Sequence, residues 1–318
     1  MEKKTLIIDS LPGDAVEIPY AHVRGRNGVG PHLTIVAGVH GAEYTGMAAI
    51  MRFVSQIDAR QLRGTITAVP ILNQPAFWSR TAFVVPSDDK NLNRCFPGDP
   101  NGSYAEVLAY EIFTNFIKSS DYLLDLHAGD IPESLEPFVL YEESSVEEQS
   151  RALARSYGLP YVVRQSRASR TVGGSTSAAA ADAGIPAIIA EIGGNGLCDD
   201  ASVARHLRGL GNVCADLGML SESAAEPSQP LTECNGWVWM RSPVKGWWQP
   251  KVPPGAQVSA GDLLGALLDP FGGVLHQVIA PVDGFPLFVT SSPAVLHDGL
   301  LLGLATVGRD GLAATQFS

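Results

Sequence analysis

The sequence predicts an α/β sandwich on a largely parallel or mixed sheet, with a small all-β module after it. Three observations carry that prediction. Short apolar runs alternate with helix-like segments over about the first 220 residues. A polar stretch containing Pro and Ser interrupts the chain at residues 221–230. Beyond it, Gly and Pro recur every few residues between short alternating runs, over roughly 85 residues. The expected division is an α/β domain over 1–225 and the β-module over 226–318.

Strands are expected at 33–39, 65–72, 122–127, 138–141, 161–164 and 187–192. All are short and rich in Val, Ile and Leu, as strands covered on both faces require. A helix-like segment follows the first of them, over 44–57. Ser103-Tyr-Ala-Glu106 reads as a capping box opening a helix to about Lys118. Its apolar residues Val107, Leu108, Ile112, Phe113 and Phe116 recur at helical spacing. Two more helices, over 146–157 and 201–217, stop at Gly158 and Gly218. In the last part, Gly236-Trp-Val-Trp-Met, Gly246-Trp-Trp-Gln and Val274-Leu-His-Gln-Val-Ile read as strands.

Composition narrows the class. Of 318 residues, 45% are hydrophobic and 17% charged, which is ordinary for a globular protein. The formal net charge is −11, from 22 Lys plus Arg against 33 Asp plus Glu, and no basic cluster offsets it. Nucleic acid and anionic membranes are poor partners for such a chain. The amino-terminal residues lack the apolar core of a signal peptide, and no run is long enough to span a bilayer. The four cysteines are scattered without C-x-x-C pairing, which suits a reducing cytosol and argues against a Cys-ligated metal. A cytoplasmic location is therefore expected.

His40, Glu43 and His127 are the residues most informative about chemistry. Each His ends an apolar strand-like run, and the first belongs to a His-x-x-Glu spacing flanked by Gly38 and Gly41. Two imidazoles and a carboxylate make a three-ligand zinc set with the fourth position open. The competing reading is that each His is an ordinary satisfied polar residue. Asp125 lies two residues before His127, on the same strand face, and is either an outer support of the site or a structural hydrogen-bond partner.

Two further segments bear chemistry. Asn91-Leu-Asn93-Arg94-Cys-Phe-Pro-Gly98 is a polar loop, and an Asn beside an Arg offers donors matched to a carboxylate. Its other reading is a turn carrying a surface Arg. Glu191 closes a strongly apolar strand, just before Gly-Gly-Asn-Gly. Desolvation there raises a carboxyl pKa toward the range useful for proton transfer. The alternative is a strand-end Glu bonded to a helix N-terminus.

Together these segments resemble the succinylglutamate desuccinylase/aspartoacylase family, which shares the zinc carboxypeptidase fold. The likeness covers nearly the whole chain, the β-module included. It implies one zinc ion per chain held by His40, Glu43 and His127. It implies a substrate carboxylate held by Asn93 and Arg94, with Glu191 as general base and acid. The implied reaction is hydrolysis of the amide bond of a small N-acyl amino acid by zinc-activated water. Relatives often place a second Arg upstream of Asn-Leu-Asn-Arg to polarise the scissile carbonyl. Here the candidate is Arg80, whose other reading is a solvated loop Arg.

The substrate itself is not legible. Arg164, Arg167 and Arg170 precede a Gly/Ser-rich segment, read as a mobile loop, and either bind an acidic side chain or are simply solvated. The β-module resembles the half-barrel of biotinyl and lipoyl carriers. Its hairpin stretch Asp269-Pro-Phe-Gly-Gly-Val274 lacks the Lys a carrier needs. The module is therefore expected to cap the site or to mediate an oligomer contact, with Trp237, Trp239, Trp247 and Trp248 lining a wall or forming its core. A serine hydrolase is disfavoured, because no G-x-S-x-G elbow occurs. A metallocarboxypeptidase acting on peptides and a non-catalytic pseudoenzyme are the rival readings.

Overall fold

The computed structural model describes residues 1–13, 15–166, 173–221 and 230–307. An amino-terminal hairpin comes first, β1 (Glu2–Ile8) and β2 (Val16–Arg24), followed by β3 (His32–Ala37), α1 (Tyr44–Gln56) and β4 (Thr65–Val69). Next are α2 (Gln74–Ser79), α3 (Tyr104–Ile112), β5 (Tyr122–His127), β6 (Glu133–Leu135) and β7 (Phe138–Glu142). Then come α4 (Glu147–Tyr157), β8 (Tyr161–Gln165), α5 (Thr176–Asp182), β9 (Ala187–Glu191), α6 (Asp200–Asp216) and β10 (Thr232–Cys234).

The large sheet runs β1-β2-β4-β3-β5-β9-β7-β8-β10. It is parallel from β4 through β3 and β5 to β9, and β7 joins β9 antiparallel. The sheet is thus mixed, and the protein is a carboxypeptidase-like α/β/α sandwich. Alternate residues of each central strand serve opposite layers. Leu33, Ile35 and Ala37 of β3 join the core built with Met47 and Ile50 of α1, Leu153 of α4 and Leu210 of α6. Val36 faces the other way, to Leu108 and Ile112 of α3 and Ala180 of α5. Both faces are covered, so the strands need no polar side, which is why they read as continuous apolar runs.

Two strand ends differ from expectation for local reasons. β3 stops at Ala37 because Gly38 takes φ +71, which breaks the pleat. β4 stops at Val69, before Pro70, which has no N–H for a ladder. The helix expected to reach Lys118 is regular to Ile112 and continues as a wider π-type turn over Phe113–Ile117. The Gly/Ser segment expected to be a mobile loop leads into α5. The Ser175 hydroxyl caps that helix by accepting from Ala178 N, 3.1 Å away.

The β-module contains β11 (Gly236–Arg241), β12 (Gly246–Pro250), β13 (Leu263–Leu268), β14 (Val274–Ile279), β15 (Phe285–Thr290), β16 (Ala294–Val295) and β17 (Leu300–Thr306). They form two sheets, β11-β17-β15-β6 and β14-β13-β12-β16. The division expected at 225/226 is crossed in both directions. β6 lends Leu135 and Ser134 to Phe288 and Val289 of β15, and β10 returns to the large sheet beside β8. Trp248 is buried in the module's own core, and Trp247 is exposed. No helix of the described residues is long and apolar enough to cross a membrane.

Candidate active site

The site lies at the carboxyl ends of β3, β5 and β9. β4 pairs on one side of β3 and β5 on the other, so the chain changes direction there and opens a crevice. Three features shape the first wall. Gly38 turns the chain after β3, and its carbonyl accepts from Asn73 N at 2.8 Å. Asn73 Nδ2 then donates to Val39 O at 3.1 Å. Gly41 sits so close to α2 that a Cβ there would lie 2.3 Å from the Ala76 carbonyl carbon. His40 is thereby pinned between β3 and α2. Glu43 is the N-cap residue of α1, but its side chain makes no capping bond and turns instead toward the imidazoles.

The Glu43 carboxylate joins the two histidines. His40 Nδ1 is 2.6 Å from Oε1, and His127 Nδ1 is 2.8 Å from Oε2. The rings stand 5.1 Å apart at 77°. One donor atom from each of His40, Glu43 and His127 falls within a 4.8 Å span, and all three residues are buried. The opposite ring nitrogens are also held. His40 Nε2 meets Asn91 Oδ1 at 3.0 Å, and His127 Nε2 meets Asp125 Oδ2 at 3.0 Å. Asp125 is fixed in turn by a short hydrogen bond donated by the Thr176 hydroxyl. Imidazoles oriented by outer partners, with their inner nitrogens converging on one carboxylate, fit a zinc ion of the two-His, one-carboxylate type.

Electrostatics agree with that fit. Burial works to raise the Glu43 pKa, but the charges and hydrogen bonds of His40 and His127 outweigh it and hold the group at about 2. Burial opposes protonation of His127, yet Asp125 and Glu43 raise its pKa well above the ordinary value. Negative potential is thus concentrated where a cation would sit.

Glu191 stands across the ladder from His127. Burial, together with the charges of Glu43 and Asp125, pushes its pKa up to about 8 against the lowering effect of His127 and Arg94. The 91–94 loop faces it. Asn93 Oδ1 accepts from Thr176 N at 3.0 Å, so Asn93 offers the crevice its amide N–H donors. Arg94 Nη1 donates to Asn93 O at 2.7 Å. Its surroundings lower the guanidinium pKa, chiefly by desolvation, although the side chain remains open to the solvent-filled crevice. Gly174, at φ +85, lets the backbone pass where a Cβ would be 2.2 Å from Arg94 O.

His40, Glu43, His127, Asn93, Arg94 and Glu191 all line one cavity of about 600 Å³. Arg80 does not. It caps the C-terminal end of α2 at φ 56, exposed and away from the cavity lining. Arg164 is bound to Glu147, with Nε to Oε1 at 2.6 Å, and lies off the lining. Arg167 and Arg170 lie outside the described residues. The sequence reading assigned no role to Asn91, which the same loop motif carries. It also passed over Glu133 of β6, which lines the cavity and accepts from Asp130 N at 2.9 Å. Burial, and then the charges of its neighbours, raise the Glu133 pKa well above the usual carboxyl value. No spacing in the sequence marks that residue, because β6 enters the site through pairing with the β-module.

Comparison with known proteins agrees with this geometry. Residues 29–217 match the family described as the Succinylglutamate desuccinylase/Aspartoacylase catalytic domain. The chain is 30% identical over 283 residues to N-alpha-acetyl-L-2,4-diaminobutyric acid deacetylase of Halomonas elongata, covering 86% of this chain and 80% of that one. The fold is similar to that of a succinylglutamate desuccinylase/aspartoacylase from Rhodobacter sphaeroides, with TM-score 0.85 and 22% identity over 97% of this chain and 96% of that one. It is also similar to the product-bound ectoine utilization protein EutE (DoeB) from Ruegeria pomeroyi, with TM-score 0.83 and 23% identity over 96% and 94%.

Proposed function

Because this chain belongs to the succinylglutamate desuccinylase/aspartoacylase family, a family of N-acyl amino acid deacylases, we propose that it is a zinc-dependent amidohydrolase acting on a small N-acyl amino acid. One observation carries the reading. The convergent donors of His40, Glu43 and His127 open into the same cavity as Glu191 and the Asn93–Arg94 pair. When bound there, the ion supplies Lewis acidity toward water and the scissile carbonyl.

The chain's own groups supply the rest. Arg94 and the Asn93 amide bind the substrate carboxylate, which fixes the amide bond beside Glu191. Glu191 takes a proton from the attacking water and returns it to the leaving amine nitrogen, so one water is consumed per amide cleaved. Its raised pKa suits both duties near neutral pH, and a nearby cation moves that pKa down toward the base form. Asn91 and Asp125 keep the imidazoles turned inward. The β-module walls the cavity with Trp237, Trp239 and Phe288, which limits the size of what enters and opposes the peptide-hydrolase reading.

The test is metal removal and return. Chelation is expected to abolish amine release from N-acyl amino acids, and added zinc to restore it. Full turnover by metal-free protein would refute the reading. Stoichiometric zinc binding with no hydrolysis of any N-acyl amino acid would favour a pseudoenzyme.

A further inference from the structure

Between α2 and the 91–94 loop, the chain sends Phe83 into the cavity lining. Its backbone is in the left-handed region, at φ 61. Val84 N donates to Ala82 O at 2.7 Å, which closes a three-residue turn centred on Phe83. Turns of this kind with a positive central φ are rare and strained, and a bulky side chain is unfavourable there. The flanks enforce the conformation. Phe83 N donates to Asp130 Oδ2 at 2.8 Å, and Ile131 N donates to Asp130 Oδ1 at 2.6 Å. Asp130 is fully buried, three residues past His127 on the loop that leaves β5. On the other flank Val85 is buried in the core, and its N–H donates to Lys90 O at 2.8 Å.

The strained turn aims an aromatic ring at the candidate metal cluster. Phe83 meets the His40 imidazole in a T-shaped contact, with ring centroids 6.3 Å apart at 73°. Its side chain is half-buried, so the ring is both packed on His40 and part of the cavity wall. Strain that persists beside such a cluster points to a role in the site. The ring's place also tells which half of a substrate it meets. In the proposed binding mode the carboxylate lies at Asn93 and Arg94, and the scissile carbonyl lies at His40, Glu43 and His127. From the carbonyl carbon, the amino-acid half runs through nitrogen toward Arg94, and the acyl carbons run the other way. A ring packed on His40 borders those acyl carbons.

We propose that Phe83 is a specificity-determining residue whose ring ends the space for the acyl chain beside His40, so that short acyl groups are accepted and long or aryl ones are turned away. The ring is apolar, so it discriminates by length and bulk rather than by charge. A longer chain has to displace a ring whose backbone is held on both flanks, by Asp130 and by Val85. The proposal rests on the amidohydrolase reading for the identity of the ligand, whereas the strained turn stands without it.

The experiment uses full-length protein and the acetyl, butyryl, hexanoyl and benzoyl hydroxamates as probes. A hydroxamate chelates zinc and carries its acyl group beside the metal, and it requires neither a particular amino acid nor turnover. Affinity for zinc-loaded protein is read by calorimetry. Wild type is expected to bind the acetyl compound at least as tightly as the hexanoyl and benzoyl compounds. In Phe83→Ala the two larger probes are expected to gain about tenfold relative to acetyl, the worth of one to two newly buried methylenes at about fourfold each. Phe83→Leu is expected to restore most of the discrimination. In metal-free protein, Phe83→Gly is expected to melt about 2 °C above Phe83→Ala, because both lack the ring and only Gly adopts the positive φ freely. Wild-type affinity that climbs with every added methylene would overturn the proposal. So would an equal change for all probes in Phe83→Ala, or a Phe83→Ala that melts at or above Phe83→Gly. Graded hydroxamate binding in a protein that hydrolyses no N-acyl amino acid would refute the amidohydrolase reading and leave the acyl limit standing. A protein that binds neither zinc nor any hydroxamate would refute both.

Discussion

Gly41 carries the most direct structural prediction, because a single methyl group tests whether α2 fixes the turn that carries His40, a proposed metal ligand. A Cβ at Gly41 would lie 2.3 Å from the Ala76 carbonyl carbon, and 2.5 Å from both its oxygen and Phe77 N. Carbon atoms make favourable contact near 3.5–4.0 Å, so about 1 Å of separation has to open. The obstacle is backbone, and α2 cannot simply swing away. Asn73 ties its start to Gly38 O and Val39 O, on the strand side of the same turn. Strain of this kind costs about 1–3 kcal/mol of stability. A shift of about 1 Å in catalytic geometry can cost about 10²-fold in rate. Gly41→Ala is therefore expected to lower the melting temperature, weaken zinc affinity in a chelator competition and reduce kcat/KM by roughly 10²-fold. Gly211→Ala is the control. Its Cβ meets nothing within 4 Å, and on the α6 helix it is expected to stabilise by about 0.4–1 kcal/mol. Wild-type melting and zinc affinity in Gly41→Ala would show that the contact does not hold the turn.

Three more outcomes follow from the site and from α3. Glu191→Gln is expected to bind zinc normally while kcat falls by about 10²–10⁴; near-normal kcat would move the proton-transfer role elsewhere. Arg94→Lys keeps the charge but loses the fork, so KM for free-acid substrates should rise more than kcat falls, and unchanged KM would exclude the carboxylate contact. Glu106 is held at about 2 chiefly by the Ser103 N–H, with Lys90, against 4.5 for a free Glu. Below pH 4.5 the unfolded chain takes up this proton first, so the stabilisation is full above that pH and fades as pH falls toward 2. In urea titrations the gap between wild type and Glu106→Gln should shrink over that interval, and a gap independent of pH would contradict the assignment.

The His40–Glu43–His127 cluster proposed to hold the metal and the central strands could be read from sequence for the same reason. β3, β5 and β9 are apolar on both faces, so each polar residue at a strand end stands out. What escaped the sequence depends on partners far along the chain. β1 is an edge strand beginning Glu-Lys-Lys-Thr and earns its conformation from seven residue pairs with β2 rather than from an apolar pattern. α5 is short and Ala-rich, so it has no contrasting faces, and the preceding Gly-Gly-Ser masked its start. Arg80 was legible as a charge near the right loop. Its left-handed backbone at the end of α2 sends it away from the cavity, and no residue pattern announces that turn. β6 and β10 are three residues each, too short for periodicity to register. Glu133 and the strand pairings that cross the expected 225/226 division were lost with them.

The exchange of β6 and β10 changes how the β-module has to be tested. Cutting the chain after residue 226 looks like removal of a detachable cap. It also removes β10, which pairs Thr232, Glu233 and Cys234 with Tyr161, Val162 and Val163 at the edge of the large sheet. Glu233 goes with it, along with its ion pairs to Arg151 and Arg155 of α4. β6 loses its β15 partner, although Glu133 O still accepts from Asn195 N at 2.6 Å. Phe138, 4% exposed in the intact chain, loses its contact with Trp237. Uncovering a large aromatic side chain costs about 1.5–3 kcal/mol, before the unpaired strand edges are counted. Truncation is therefore expected to give an aggregation-prone protein with a lowered melting temperature, and loss of activity in it would not isolate a gatekeeping role. A truncated protein that stays monomeric, keeps the wild-type melting temperature and binds zinc would refute this account. The module would then be a separable cap rather than a structural part of the site.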